Sequence, residues 1–169
     1  RSSLFANNGL VNYVLVNIGI LDKPYNFLTQ PFAAKIVIIL ALLWRWTGYN
    51  MVFFLSGLQN IEYSVYEAAK IDGASAIQTF FKITVPLLKP TILLTAIMST
   101  NGTLQLFDES INLTDGGPAN ASISMSHYIY NLCFKYVPNF GYAAAMSFFI
   151  LLLVAVLALI QMRVGDKRD

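Results

Sequence analysis

The stretch Ala143–Ile160, AAAMSFFILLLVAVLALI, runs for 18 residues without a charge, the length at which an α-helix begins to cross the hydrocarbon core of a bilayer. A helix on the surface of a soluble domain needs only one apolar stripe, whereas this segment is apolar on every face. The span around it is read as 141–162, and a tail carrying Arg163, Lys167 and Arg168 follows it. The composition agrees. Of the 169 residues, 56% are hydrophobic and 12% charged, about half the charged share of an ordinary soluble domain.

Moving toward the N-terminus, residues 90–107 also lack charge but are rich in Thr, Ser, Asn and Gln. Such side chains are costly in hydrocarbon unless they face protein or water, so this span belongs in a bundle interior. Residues 32–57 are apolar apart from Lys35 and Arg45, and at 1.5 Å per residue they reach about 39 Å, enough to cross with tilt. Between the spans, residues 58–89 hold Glu62, Glu67, Lys70, Asp72, Lys82 and Lys89 and cannot sit in lipid. Residues 1–31, punctuated by Gly9, Gly19, Pro24 and Pro31, and residues 108–140, which turn at Asp115-Gly116-Gly117-Pro118 and continue into a short amphipathic stretch, lie outside the bilayer. The predicted fold is an all-α membrane protein: a helical bundle with about three spanning helices plus short amphipathic helices.

Basic residues set the orientation. The 58–89 loop carries Lys70, Lys82 and Lys89 and the tail carries Arg163, Lys167 and Arg168, whereas residues 108–140 carry only Lys135. The loop at 58–89 is thus expected in the cytoplasm, and 1–31 and 108–140 on the opposite side, with Arg1 and Lys23 weakening the bias slightly. The net charge of +2 is small and scattered, which argues against nucleic-acid binding. One cysteine, Cys133, and one histidine, His127, provide neither a disulfide framework nor metal-ligand spacing. Both are expected to be packing residues. No basic and apolar leader opens the sequence.

The cytoplasmic loop carries the functional signal. Ser64-Val65-Tyr66-Glu67 fits a capping box, in which serine and glutamate side chains satisfy orphan backbone donors at a helix start. The helix runs on to Asp72, and Gly73 can take the left-handed conformation that ends it. A second short helix over 75–83 then reaches Pro86. Two short helices around a glycine corner make a compact knob suited to a groove on a soluble partner.

Glu67-Ala68-Ala69, Gly73 and then Ile83-Thr84-Val85-Pro86 resemble the EAA loop of binding-protein-dependent ABC permeases, with Val85 where the pattern has leucine. Glu67 to Ala74, E-A-A-K-I-D-G-A, together with Leu113 to Pro118, Phe140 to Ala145 and Trp44 to Gly57, is similar to the sugar, maltose-type branch. Glu62 stands where that branch commonly has proline. The resemblance covers nearly the whole of residues 1–169, as part of one transmembrane domain, and implies that one or more N-terminal spans precede them. It also implies a multi-pass protein of a bacterial-type inner membrane, in contact with lipid. Within that resemblance, Glu67, Ala68, Ala69, Asp72, Gly73, Ala74, Ile83 and Pro86 couple the chain to an ABC ATPase subunit. The further partners implied are a second permease subunit forming a hetero-dimer, an extracytoplasmic solute-binding protein, and a sugar as substrate.

G-x-x-x-x-G-K-[ST] does not occur in the sequence, so ATP and its Mg are expected on the partner ATPase, with no cofactor, metal or catalytic residue in this chain. Arg45 and Tyr49, and Trp46 and Asn50, lie at i and i+4, while Asn101, Gln105 and Asp108 recur at i, i+4 and i+7 on what a continuous helix would make one face. These residues are the expected substrate path, since a sugar asks for flat apolar surfaces and for hydrogen-bonding groups around its hydroxyls. Arg45 equally suits snorkelling or a structural ion pair. Two other functions fit parts of the pattern. One is an importer for another solute such as glycerol phosphate, with Arg45 and Lys35 as anion contacts. The other is an intramembrane enzyme using Asp108, Glu109 and His127, which requires those groups to converge.

Overall fold

Pro31, whose ring presets the helical φ and whose missing N–H is not needed in a first turn, opens the longest element of the structure. This structure is a computed structural model, and it describes residues 5–165. Helix α1 spans Leu10–Asn17 and α2 spans Pro31–Gln59. Helices α3 (Tyr63–Ile71) and α4 (Ala76–Thr79) follow, and a wide π-turn over Phe80–Thr84 leads into α5 (Val85–Leu87). Then come α6 (Lys89–Leu104), a second π-turn at Ser110–Thr114, and α7 (Met125–Tyr130), which runs into a third at Asn131–Lys135; α8 (Phe140–Gly165) is the last element among the described residues. No strand occurs among the described residues.

Two helices are long and apolar enough to cross a membrane. Helix α2 has 29 residues with a mean hydropathy of 1.5, and α8 has 26 with 2.9; at 1.5 Å per residue they measure about 43 and 39 Å. Their apolar windows are only 11% and 6% buried inside the chain, leaving side chains such as Phe32, Trp44, Phe148 and Leu152 more than half exposed. Surface of that kind needs lipid or further protein to cover it. Helix α6 has 16 residues and covers about 24 Å, short of a crossing. It passes the same criteria only together with residues 76–87, from which it is bent by 64°. The predicted span at 90–107 is therefore corrected at its end: the helix stops at Leu104, where Leu106 N–H turns back to Thr103 O at 3.3 Å. Gly102 and Thr103 are both weak helix formers.

The chain divides into two compact units. One joins the N-terminal part as far as Trp44 to Gly102–Leu153. Its apolar core is Ala33, Ala34, Val37, Ile38, Leu132, Ala143 and Ile150, and polar side chains of Asn12, Ser110, Ser122, His127 and Asn131 are buried with it. The other unit joins Arg45–Asn101 to the C-terminal part from Val154, with Ala69, Thr84, Leu88 and Thr95 inside. There α2 and α6 approach so closely at Gly57 that a Cβ would stand 2.9 Å from both Leu88 Cδ2 and Thr91 Oγ1. Arg1 lies outside the described residues, as do Lys167 and Arg168.

Candidate functional site: a bent helical handle and a polar seam

The segment 63–87 is built by backbone chemistry that can be read bond by bond. Helix α3 begins after Glu62, whose backbone is extended at φ −62° and ψ 135° and whose side chain caps nothing. The expected capping box at 64–67 is corrected: Ser64 and Glu67 both fall inside the helix, and the Ser64 hydroxyl donates to the Glu62 carboxylate at 3.2 Å instead. At the other end, Gly73 takes φ +74°. Its N–H donates to Lys70 O at 3.1 Å and that of Ala74 to Ala69 O at 2.9 Å, the paired bonds of a Schellman turn. Two residues later a capping box does form. Gln78 N–H donates to Ser75 Oγ at 3.3 Å, and Ser75 N–H to Gln78 Oε1 at 2.9 Å.

Residues 76–87 then continue as one rod, lengthening the helix expected at 75–83. Its turn widens where Pro86 cannot donate to Lys82 O and its ring crowds that carbonyl. Tyr66 Oη and Thr84 Oγ1 meet at 3.3 Å and tie the two arms together. Glu67, Ala68, Asp72, Gly73 and Pro86 are exposed, Ala74 and Ile83 are partly covered, and Ala69 is buried. Ile71 is 85% and Ile77 72% exposed, so apolar side chains stand out from an otherwise charged segment.

Helix α2 carries the other set. The Arg45 guanidinium lies 5.4 Å from the centroid of the Trp46 ring, within cation–π range. Trp46 meets Tyr49 edge-on at 5.5 Å, and Tyr49 meets Phe53 at 5.0 Å. Asn50 Nδ2 donates to Ser99 Oγ at 3.1 Å, and Ser99 returns a bond to Asn50 Oδ1 at 3.3 Å. Trp46 Nε1 is buried without a hydrogen-bond partner among the described residues. The expectation that Asn101, Gln105 and Asp108 share one helical face is corrected: Asn101 lies in α6, Gln105 lies past its end, and Asp108 opens the next turn.

Sequence reading missed Ser99 and the pair formed by Gln161 Nε2 and Thr100 Oγ1 at 2.8 Å. The one available signal was the density of small polar residues in 95–103, which does not say where each side chain finds its partner.

A polar knot lies between 108 and 136. Ser110 Oγ donates to Ser122 O at 2.9 Å, accepts from Ser124 N–H at 3.2 Å, and sits 2.8 Å from His127 Nδ1. A hydroxyl has one proton, and the Ser122 carbonyl can only accept, so Nδ1 is the donor and Nε2 carries the lone pair. Nε2 is 3.8 Å from Asp115 Oδ1, whose principal partner is the Lys135 ammonium at 2.8 Å. Burial, and then the Lys135 cation, hold the His127 imidazole below its ordinary range, with Asp115 acting the other way. The Asp115 carboxylate raises Lys135 above its usual value.

Serine, histidine and aspartate do meet here, which the sequence did not foretell. The ring is turned the wrong way for hydrolytic catalysis, since Nδ1 rather than Nε2 faces the serine. The hydroxyl is fully buried and all its bonding capacity is used. No group of three metal-ligating side chains occurs among the described residues.

Comparison with known proteins agrees with this architecture. Residues 4–168 match the family described as binding-protein-dependent transport system inner membrane component. The lactose transport system permease protein LacF of Rhizobium radiobacter is 54% identical over 168 residues, covering 98% of this chain and 56% of that protein. The trehalose/maltose transport system permease protein MalF of Thermococcus litoralis is 36% identical over 160 residues, covering 95% of this chain and 53% of that one. The chain thus spans about half the length of these relatives, which are transport permeases rather than enzymes.

Among solved structures, a bacterial ABC transporter involved in the import of the acidic polysaccharide alginate superposes with a TM-score of 0.81 at 27% identity. The match covers 98% of this chain and 57% of that one. A second structure, of a bacterial alginate ABC transporter in complex with alginate pentasaccharide-bound periplasmic protein, gives 0.71 at 28%, covering 97% of this chain and 55% of that one. A handle with EAA-type spacing, two naked apolar helices long enough to span, and a family match across nearly every residue have one meaning: the chain belongs to the inner membrane components of binding-protein-dependent transport systems.

Proposed function

We propose that this chain forms the membrane-spanning gate of an ATP-driven importer for a saccharide delivered by an extracytoplasmic solute-binding protein. The observation that carries the reading is the bent handle at 63–87. Its corner is closed by a Schellman turn and a capping box, and a stiff element of that kind can transmit displacement rather than absorb it. In this reading the handle lies in the cytoplasm, with residues 5–31 and 108–140 on the other side. Glu67, Ala68, Ala69, Asp72, Gly73, Ala74, Ile83 and Pro86 engage the ATPase subunit. ATP and Mg belong to that subunit, and a companion permease completes the pore.

Trp46, Tyr49, Asn50 and Asn101 supply rings and amides for a sugar in transit. The unpartnered Trp46 Nε1 is a donor suited to a hydroxyl oxygen. A second reading, an acidic saccharide, is favoured by Arg45, whose guanidinium lies over the Trp46 ring.

The test is reconstitution of the full-length permease with its companions. Glu67→Lys should abolish co-purification of the ATPase subunit, and sugar uptake with it, while membrane insertion is kept. Retained docking and transport would overturn the handle assignment. Arg45→Met should leave uptake of neutral sugars within about twofold and reduce that of acidic ones at least tenfold, roughly the loss of one charge-assisted hydrogen bond. Equal effects on both classes would make Arg45 a structural residue.

A further inference from the structure

Near the start of the chain, the turn at 7–9, α1 and Pro24 of the loop after it line an open hollow of about 320 Å³, within the range of small-molecule sites. Its lining has a definite chemistry. Asn7, Asn8 and Asn17 present side-chain amides, Tyr13 and Pro24 present rings, and none of the described residues lining the hollow is charged. The Tyr13 side chain is 72% exposed, and Asn7, Asn8, Asn17 and Pro24 are also exposed.

The floor, by contrast, is fixed. Asn12 is 1% exposed. Its Nδ2 donates to Ala6 O at 3.0 Å and to Tyr25 O at 2.9 Å, and its Oδ1 accepts from Tyr25 N–H at 2.8 Å. Two of these bonds hold α1 against the loop that returns beside it and the third ties it to the turn that precedes it, and Tyr25 is further braced edge-on against Phe27 at 5.1 Å. Asn12 is thus a positioning residue and has no valence left for a ligand apart from one carbonyl lone pair. The exposed amides on the rim have no such engagement among the described residues.

Each amide offers both donors and acceptors, as each sugar hydroxyl does. A tyrosine ring and a proline ring give flat apolar surfaces for the C–H faces of a pyranose. The described lining residues carry no charge that would select an ionic ligand, and a floor already clamped lowers the ordering cost of binding.

We propose that this hollow is a second saccharide subsite, binding a neutral sugar and using residues different from those of the membrane path. The inference rests on reading the chain as a sugar importer. A subsite on the outer segment holds sugar released from the delivery protein at high local concentration, so its loss acts on KM and spares kcat.

The experiment uses the full-length permease assembled with its companion subunits in nanodiscs, with lactose, maltose and trehalose each carrying a diazirine as probes. Photolysis should label the peptide containing residues 7–24 with at least one of the three, and an excess of the unmodified sugar should suppress the label. Tyr13→Ala should cut labelling about fivefold and raise the uptake KM by a similar factor, equivalent to about 1 kcal/mol, with kcat unchanged. Tyr13→Phe, which keeps the ring, should behave as wild type. Absence of label in this peptide, while uptake proceeds and α2 or α6 is labelled, would overturn the subsite and leave the importer reading intact. No uptake and no label anywhere would remove both. Label unaffected by Tyr13→Ala but displaced by sugar-free solute-binding protein would make the hollow a protein-docking face and overturn the proposal.

Discussion

Ser110 is the residue on which the outer knot depends, because one hydroxyl serves Ser122 O, Ser124 N–H and His127 Nδ1. Removing it leaves three polar groups unpaired, two of them buried and the Ser124 N–H partly so, each with a desolvation penalty of order 1 kcal/mol or more. Ser110→Ala should therefore destabilise this unit by about 1–3 kcal/mol, read as a lowered thermal midpoint of the purified protein; an unchanged midpoint would mean water replaces the hydroxyl.

The same knot gives a pH dependence. His127 titrates in the folded chain below 6.5, its ordinary value, so on acidification the unfolded chain takes up a proton before the folded one does. The stability it contributes is complete above pH 6.5 and is lost as pH falls from there through the lowered folded value. Wild type should lose thermal stability between pH 7 and 5, with Asp115 and Lys135 the charged groups facing the ring. His127→Gln should flatten that slope. A wild-type midpoint that rises on acidification would show that the Asp115 attraction outweighs burial.

At the scale of elements, the handle was partly legible. The glycine corner at 73 followed from the only residue type that adopts positive φ without a Cβ penalty, and the structure gives φ +74°. The capping box was misplaced because S-x-x-E at 64–67 and S-x-x-Q at 75–78 satisfy one pattern equally. Which of them forms depends on where the chain leaves its extended conformation, at Glu62 and at Ser75. Ser75→Ala should cost about 1 kcal/mol and loosen residues 75–79, seen as faster amide hydrogen exchange there. Ser64→Ala, which removes a hydroxyl already inside the helix, should change exchange far less. Equal protection in the two variants would show that the box at 75–78 does not hold this corner. Likewise, the i, i+4, i+7 stripe of 101, 105 and 108 presumed a continuous helix, and the helix ends at Leu104.

For the whole molecule, the deciding feature is apolar surface that the chain leaves bare. The apolar window of α8 is 6% buried and Leu152, near its middle, is 61% exposed. Leu152→Arg adds about 2.5–3.5 kcal/mol to insertion of this helix, and the variant should shift from the membrane fraction to aggregates or degradation. Undiminished membrane content would show that the position faces a water-filled cavity.

Hydropathy, charge and spacing by themselves determined the all-helical membrane character, the long helices and the handle with its glycine corner, because each is set within a few turns of chain by the length of apolar runs and by local backbone preference. Tertiary structure alone decided that Ser110 meets His127, that Asn50 meets Ser99 across a separation of 49 residues, and that Asn12 clamps Tyr25. Such partners are chosen by which helix faces pack together, and a polar side chain has the same identity in the sequence whether it meets a partner, water or a ligand.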